Sequence, residues 1–132
     1  MTTNVVVAGD ALRLLNVISE GETPSADQAA HALRRQNQML EQWEEEGIRL
    51  GYFAQSDTGA TCPIPAYAEK GVTGMLAMDL ASTYGATISA EAAKFADDGY
   101  QLIVRKAVNN ALVPVDTRHL GSGSRFNINT GN

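Results

Sequence analysis

The stretch from Pro65 to Gly85 constrains the fold more than any other part of the chain. Pro65 suits the first turn of a helix, where its missing N–H costs nothing. Gly85 suits the left-handed position just past a helix end. Between them Val72, Met75, Leu76 and Leu80 recur at helical spacing. Ala77, Met78 and Ala81 carry apolar surface well round the cylinder. A helix this apolar is covered on more than one side, either by other helices of the chain or by another subunit.

Helices are available to cover it. Thr2, Thr3 and Asn4 offer caps for a first helix. Its apolar stripe is Ala8, Ala11, Leu12, Leu15 and Ile18, and Gly21 ends it. The β-branched run Val5–Val7 blurs its start. Thr23 with Pro24 forms one N-terminal signal for a second helix, and the capping box of Ser25 with Gln28 competes with it. Ala26, Ala29, Ala30, Leu33, Leu40 and Trp43 point inward from that helix. Gln36 and Asn37 interrupt the stripe, which implies either hydrogen bonding at the seam or an exposed stretch. Ser89 caps a fourth helix with Glu91 in its first turn. Ala92, Ala96, Ile103 and Ala107 form its stripe, widened by Phe95 and Leu102, and Pro114 stops it.

Two segments stand apart. Residues 48–67 are rich in turn formers, and Leu50, Tyr52 and Phe53 are expected to pin this long connection to the core. A connection of this length in a small domain is usually functional or poorly ordered. From Val113 the character changes again: Gly121–Ser124 reads as a flexible link, and Arg125–Asn129 alternates with Phe126 and Ile128 on one side. A strand pattern without a partner strand in an all-helical body suits pairing with another chain. The expectation is an all-α bundle of about four helices over residues 1–112, with a long connecting loop and an extended C-terminal arm over residues 113–132.

The chain has 132 residues, one domain by size, and can bury roughly two-thirds of its unfolded surface. No apolar run approaches membrane-spanning length, and the N-terminus has no charged-then-apolar leader pattern, so the sequence predicts a soluble protein made in a cytoplasm. The net charge is -5 with no basic run, which argues against duplex DNA as a tightly held partner.

Few residues suggest chemistry. Glu44, Glu45 and Glu46 crowd the end of the second helix, where acids oppose the macrodipole and Glu41 and Glu45 stand one turn apart. One reading is a carboxylate pair for glycoside hydrolysis. A solvated helix end is the bland reading, and a channel wall or a surface for a basic partner is a third. Cys62 with His31 or His119 is a thiol–imidazole combination in composition only, since nothing in the spacing places them together. The same residues do not make a zinc site. Asp79 falls on the apolar side of the central helix. It is either an ordinary paired carboxylate or a subunit contact to an arginine of a neighbour. Trp43 suits the core first and an interface second.

The segments Gly21-Glu22-Thr23-Pro24-Ser25, Ala32-Leu33, Asn37, Met39-Leu40 and Trp43, taken in order, resemble the opening of the head-to-tail adaptor family of short-tailed bacteriophages. These are the packaged-DNA stabilisation proteins, or tail accessory factors. Leu50-Gly51-Tyr52, Leu76-Ala77 with Leu80-Ala81 and Tyr84-Gly85, and Ile88-Ser89 are similar to the later signature, so the resemblance spans about residues 8–106. Asp79 stands where the family often has a basic residue and Ser82 where it often has proline. The resemblance implies a virion protein at the neck of the particle, assembled in the host cytoplasm as a twelve-membered ring. The portal protein lies above that ring and a tail or nozzle protein below. DNA passes through without specific binding, and no enzyme activity, cofactor or membrane is involved. The arm residues Arg118, His119, Leu120, Arg125, Phe126 and Ile128 are then the portal contacts, Glu44–Glu46 face channel or interface, and Asp79 is a subunit contact. A small cell-wall glycosidase using one of Glu44–Glu46 is the alternative, and a dimeric helical regulator is a third class.

Overall fold

A computed structural model describes residues 2–112. They form four α-helices: α1 (Asn4–Leu14), α2 (Ala26–Glu45), α3 (Glu69–Tyr84) and α4 (Ala90–Leu112), with a single 3₁₀ turn, Ala66–Ala68, leading into α3. The described residues are all-α, and an isolated antiparallel bridge, Thr3 to Thr61, is the one extended pairing among them. The arm segment, with Arg118, His119, Leu120, Arg125, Phe126 and Ile128, lies outside the described residues.

The central helix is α3. Val72, Leu76, Ala77 and Leu80 are fully buried, and α1, α2 and α4 all pack on it. A fully buried leucine contributes roughly 1.5–3 kcal/mol relative to an exposed one. Gly85 ends α3 at φ 60, with Ala86 N–H donating to Ala81 C=O and Gly85 N–H to Ser82 C=O. This is the paired closure of a Schellman motif. Pro65 sits one step outside the expected place: it precedes the 3₁₀ turn, and the α-helix begins at Glu69.

The most extensive packing is between α3 and α4. Small residues allow it. A Cβ built on Gly74 would lie 2.5 Å from Ala96 Cα, and one on Gly71 would lie 2.5 Å from Ile103 Cδ1. The stripe of α4 is as the spacing predicts, with Ala92, Ala96 and Ile103 buried and Ser89 Oγ accepting from Ala92 N–H at 3.0 Å.

Two helix boundaries differ from the sequence expectation. Gly21 does not end α1, which stops at Leu14. Asn16 adopts φ 59, Asn16 N–H donates to Arg13 C=O, and Val17 N–H donates to Leu12 C=O. Asparagine takes the left-handed position more readily than most residues and closes the helix early. Thr23 and Pro24 do not start α2. Ser25 caps it, with Ser25 Oγ accepting from Gln28 N–H and Gln28 Oε1 accepting from Ser25 N–H, so two otherwise orphaned donors are satisfied at once. Ala29, Leu33, Leu40 and Trp43 are buried as expected, whereas Ala26 and Ala30 are exposed.

Candidate functional site

The connection between α2 and α3 is built into the body. Its backbone supplies the N-terminus of α1 with acceptors: Asn4 N–H donates to Ala60 C=O at 2.9 Å and Val5 N–H to Thr58 C=O at 2.8 Å. Cys62 N–H donates in return to Thr2 C=O at 2.8 Å. The first N–H groups of a helix lack intrahelical partners, so these carbonyls fill an intrinsic vacancy.

Side chains extend the stitching. Gln36 and Asn4 are almost completely buried. Gln36 Nε2 donates to Asn4 Oδ1 and Tyr52 Oη, both at 3.1 Å, and lies 3.6 Å from Cys62 Sγ. Asn4 Nδ2 donates to Asp57 C=O at 3.0 Å. Tyr52 donates its hydroxyl proton to Asn37 Oδ1, which also accepts Gln55 N–H at 2.9 Å. Asn37 Nδ2 donates to Gln55 C=O at 2.8 Å. The interruption at Gln36 and Asn37 is therefore hydrogen bonding at the seam.

Of the three expected loop anchors, Leu50 and Tyr52 pack against the core and Phe53 does not. Phe53 is 64 % exposed, the most exposed large hydrophobic residue among those described. Its two flanks are fixed, Tyr52 to Asn37 on one side and Gln55 to Asn37 on the other, so the chain is held while the ring points to solvent. The anchors that sequence reasoning missed are Cys62 and Ile64, both buried in the core cluster.

Asp79 meets an arginine of its own chain. Arg35 Nε and Nη2 donate to its two carboxylate oxygens at 2.8 and 2.9 Å, a fork-to-fork pair from α2 to α3. The paired-carboxylate reading of Asp79 therefore holds within the chain. The pair borders a groove of about 430 Å³ between α2 and α3, with Met39, Met75 and Met78 on its walls and Gln38 and Gln42 on its rim. A second groove, of about 440 Å³, lies between α1 and the α3–α4 pair and holds Lys70 with its ammonium 5.1 Å from the Phe95 ring centroid.

Glu44, Glu45 and Glu46 are exposed at the end of α2, which has no basic residue in its last turn. Gly47 at φ 97 closes this helix. Glu46 accepts a hydrogen bond from Gln42 Nε2 at 3.1 Å. Among the described residues these acids take part in no ion pair. Glu44 borders a small depression of about 10 Å³ with Leu40, Ile48, Leu50 and Tyr52. Among the described residues, the lining of that depression holds no carboxylate besides Glu44.

Cys62 is buried, and burial pushes its thiol up to about 11, with the Glu69 carboxylate adding and the Gln36 hydrogen bond opposing. A thiol so placed stays protonated near neutrality and is a poor nucleophile. His31 packs edge-on to Tyr84 instead, and His119 lies outside the described residues. Among the described residues no group of three or more His, Cys, Asp or Glu side chains is placed to hold a metal ion. No described helix is long and apolar enough to cross a membrane.

No protein-family model matches the chain, and no curated protein sequence matches it either.

Proposed function

We propose that the protein is a ring-forming head-to-tail adaptor of a short-tailed bacteriophage, bound beneath the portal, which extends the DNA channel and helps retain packaged DNA. One observation carries this: the ordered motifs from Gly21-Glu22-Thr23-Pro24-Ser25 to Ile88-Ser89. Their placement in the fold is compatible with a shared scaffold. Asn37 and Tyr52, from two separate motifs, are bonded to each other, and Leu40, Trp43, Leu76 and Leu80 share one core cluster. Tyr84-Gly85 forms the closure of α3.

The exposed acids Glu44–Glu46 repeat around such a ring, where they either repel DNA phosphates in the bore or meet basic groups of portal or tail protein. The arm contacts the portal through Phe126 and Ile128. Replacing both by Asp should leave the helical fold intact and abolish attachment to the portal, because burying two charges costs several kcal/mol by typical estimates. Portal binding by the double variant at wild-type strength contradicts the assignment of the arm. A peptidoglycan-clearing assay on the purified chain should show no turnover, whereas a cell-wall glycosidase clears.

A further inference from the structure

The start of the chain and the loop that meets it hold each other. Residues 2–6 and 56–62 exchange main-chain hydrogen bonds in both directions: Asn4 N–H donates to Ala60 C=O, Val5 N–H to Thr58 C=O, and Cys62 N–H in return to Thr2 C=O. Asn4 Nδ2 adds a bond to Asp57 C=O. Each bond keeps the two segments aligned for the others, so they are made and lost together. Little else retains either segment. Asn4 is the one buried residue of 2–6, and Cys62 the one buried residue of 56–62. The first turn of α1 is also weak in itself, because Val5 and Val6 are β-branched and Thr3 Oγ1 accepts from Val6 N–H only at 3.4 Å.

Fixed points bound these segments. Val7 begins the core face of α1 and Ile64 sits in the same core. On the other side of the loop, Gln55 N–H donates to Asn37 Oδ1 and Gln55 C=O accepts from Asn37 Nδ2, which ties that residue to α2. The body beyond is held by apolar packing, with Leu76, Leu80 and Ile103 fully buried. Segments held by exposed backbone hydrogen bonds and few buried apolar contacts open at a lower free energy than such a core.

We infer that residues 2–6 and 56–62 form a strap that opens as one unit while α2, α3 and α4 stay folded. The rest of α1 stays packed through Ala8, Ala11 and Leu12. Opening uncovers Cys62, which is 2 % exposed when the strap is closed, and parts Asn4 from Gln36. It also withdraws Thr2 and Val6 from the wall of the groove that holds Lys70 and Phe95, so that groove is complete only while the strap is closed.

The sole cysteine of the chain reports the opening in the full-length protein without an added label. An aromatic disulfide in excess reacts with the Cys62 thiol in the open state and releases one coloured thiolate per chain. An opening that exposes little surface depends weakly on urea, whereas global unfolding depends on it steeply. Labelling should run at least about 100-fold faster than global unfolding allows and stay nearly flat in urea up to the unfolding transition. Amide exchange at Asn4, Val5 and Cys62 should give one common opening constant, equal to that from the thiol. Ile103→Val weakens a contact that the open state keeps. It should speed exchange of the α3 core amides roughly threefold to tenfold and leave Cys62 labelling unchanged. Asn4→Ala removes a contact that the open state has already lost, and should speed labelling at least about fivefold. Labelling that follows urea with the global slope, or that quickens in Ile103→Val as much as the α3 amides do, overturns the strap. Different opening constants at the three amides, or unchanged labelling in Asn4→Ala, overturn its opening as one hydrogen-bonded unit.

Discussion

Gly71 and Gly99 face each other where α3 crosses α4, and their backbones touch without any side chain between. A Cβ on Gly99 would lie 2.5 Å from Gly71 N and 2.6 Å from Gly71 Cα, closer than any real Cβ contact. The clash is with backbone, so no rotamer change relieves it. Glycine inside a helix costs roughly 0.5–1 kcal/mol relative to alanine, and two of them at one crossing signal that proximity outweighs propensity.

Gly99→Ala should therefore destabilise the protein, against the sign that propensity alone gives. Overpacking typically costs about 1–3 kcal/mol and occasionally more, and a backbone clash belongs at the upper end. Urea denaturation of wild type and variant measures it. An unchanged or higher midpoint contradicts the close crossing.

Gln36→Leu should cost about 1–3 kcal/mol, because Asn4 Oδ1 loses its buried donor and Tyr52 loses one of its two partners. Amide exchange should accelerate at Asn4 and Val5, whose N–H groups depend on the loop carbonyls of Ala60 and Thr58. Uniform exchange changes across all four helices would show that the network does not hold the loop in particular.

Much of this fold was legible in the sequence. The apolar run from Val72 to Leu80 marked the central helix, and Gly85 marked its end, because glycine in the left-handed position is a local signal. The stop of α1 was not legible because Asn16 plays the same part less conspicuously, five residues before Gly21. The ordering of residues 51–62 was not legible. It depends on pairs such as Asn4 with Gln36 and Asn37 with Gln55, contacts between segments far apart in sequence that no local pattern announces. Phe53 was expected to pin the loop together with Leu50 and Tyr52 for a related reason: apolar character alone does not say whether the core has room for a third loop side chain. The partner of Asp79 was hidden likewise, since Arg35 stands on another helix.

Alkaline pH should weaken the fold through Cys62 and Tyr52. Burial is the main cause in both, raising the Cys62 thiol from 9.0 to about 11 and the Tyr52 hydroxyl from 10.0 to about 12. The folded state then holds these protons more tightly than the unfolded state. The stability they confer is complete below about pH 9 and falls as pH rises towards about 11 for Cys62, and between about 10 and 12 for Tyr52. Urea midpoints from pH 8 to pH 11 should decline, and Cys62→Ala should decline later and less steeply. Identical pH profiles for the two proteins contradict a titrating buried thiol.

Changing Glu44, Glu45 and Glu46 together to Gln should raise the thermal midpoint of the isolated subunit by a few degrees, since three acids at a helix C-terminus oppose the dipole and repel one another. The functional readout separates their two placements. If they line the channel, rings assemble and DNA sticks in the bore. If they face a basic partner, assembly weakens, most at low salt where screening is least. A variant that is more stable, assembles normally and ejects DNA normally returns the triplet to a plain solvated helix end.

The mass of the native complex between the full-length chain and a purified portal ring tests the adaptor assignment most directly. The expected result is a discrete species heavier than the portal by one chain per portal subunit, formed by the wild type and lost with Phe126→Asp/Ile128→Asp. A portal whose mass is unchanged in the presence of excess chain contradicts the assignment.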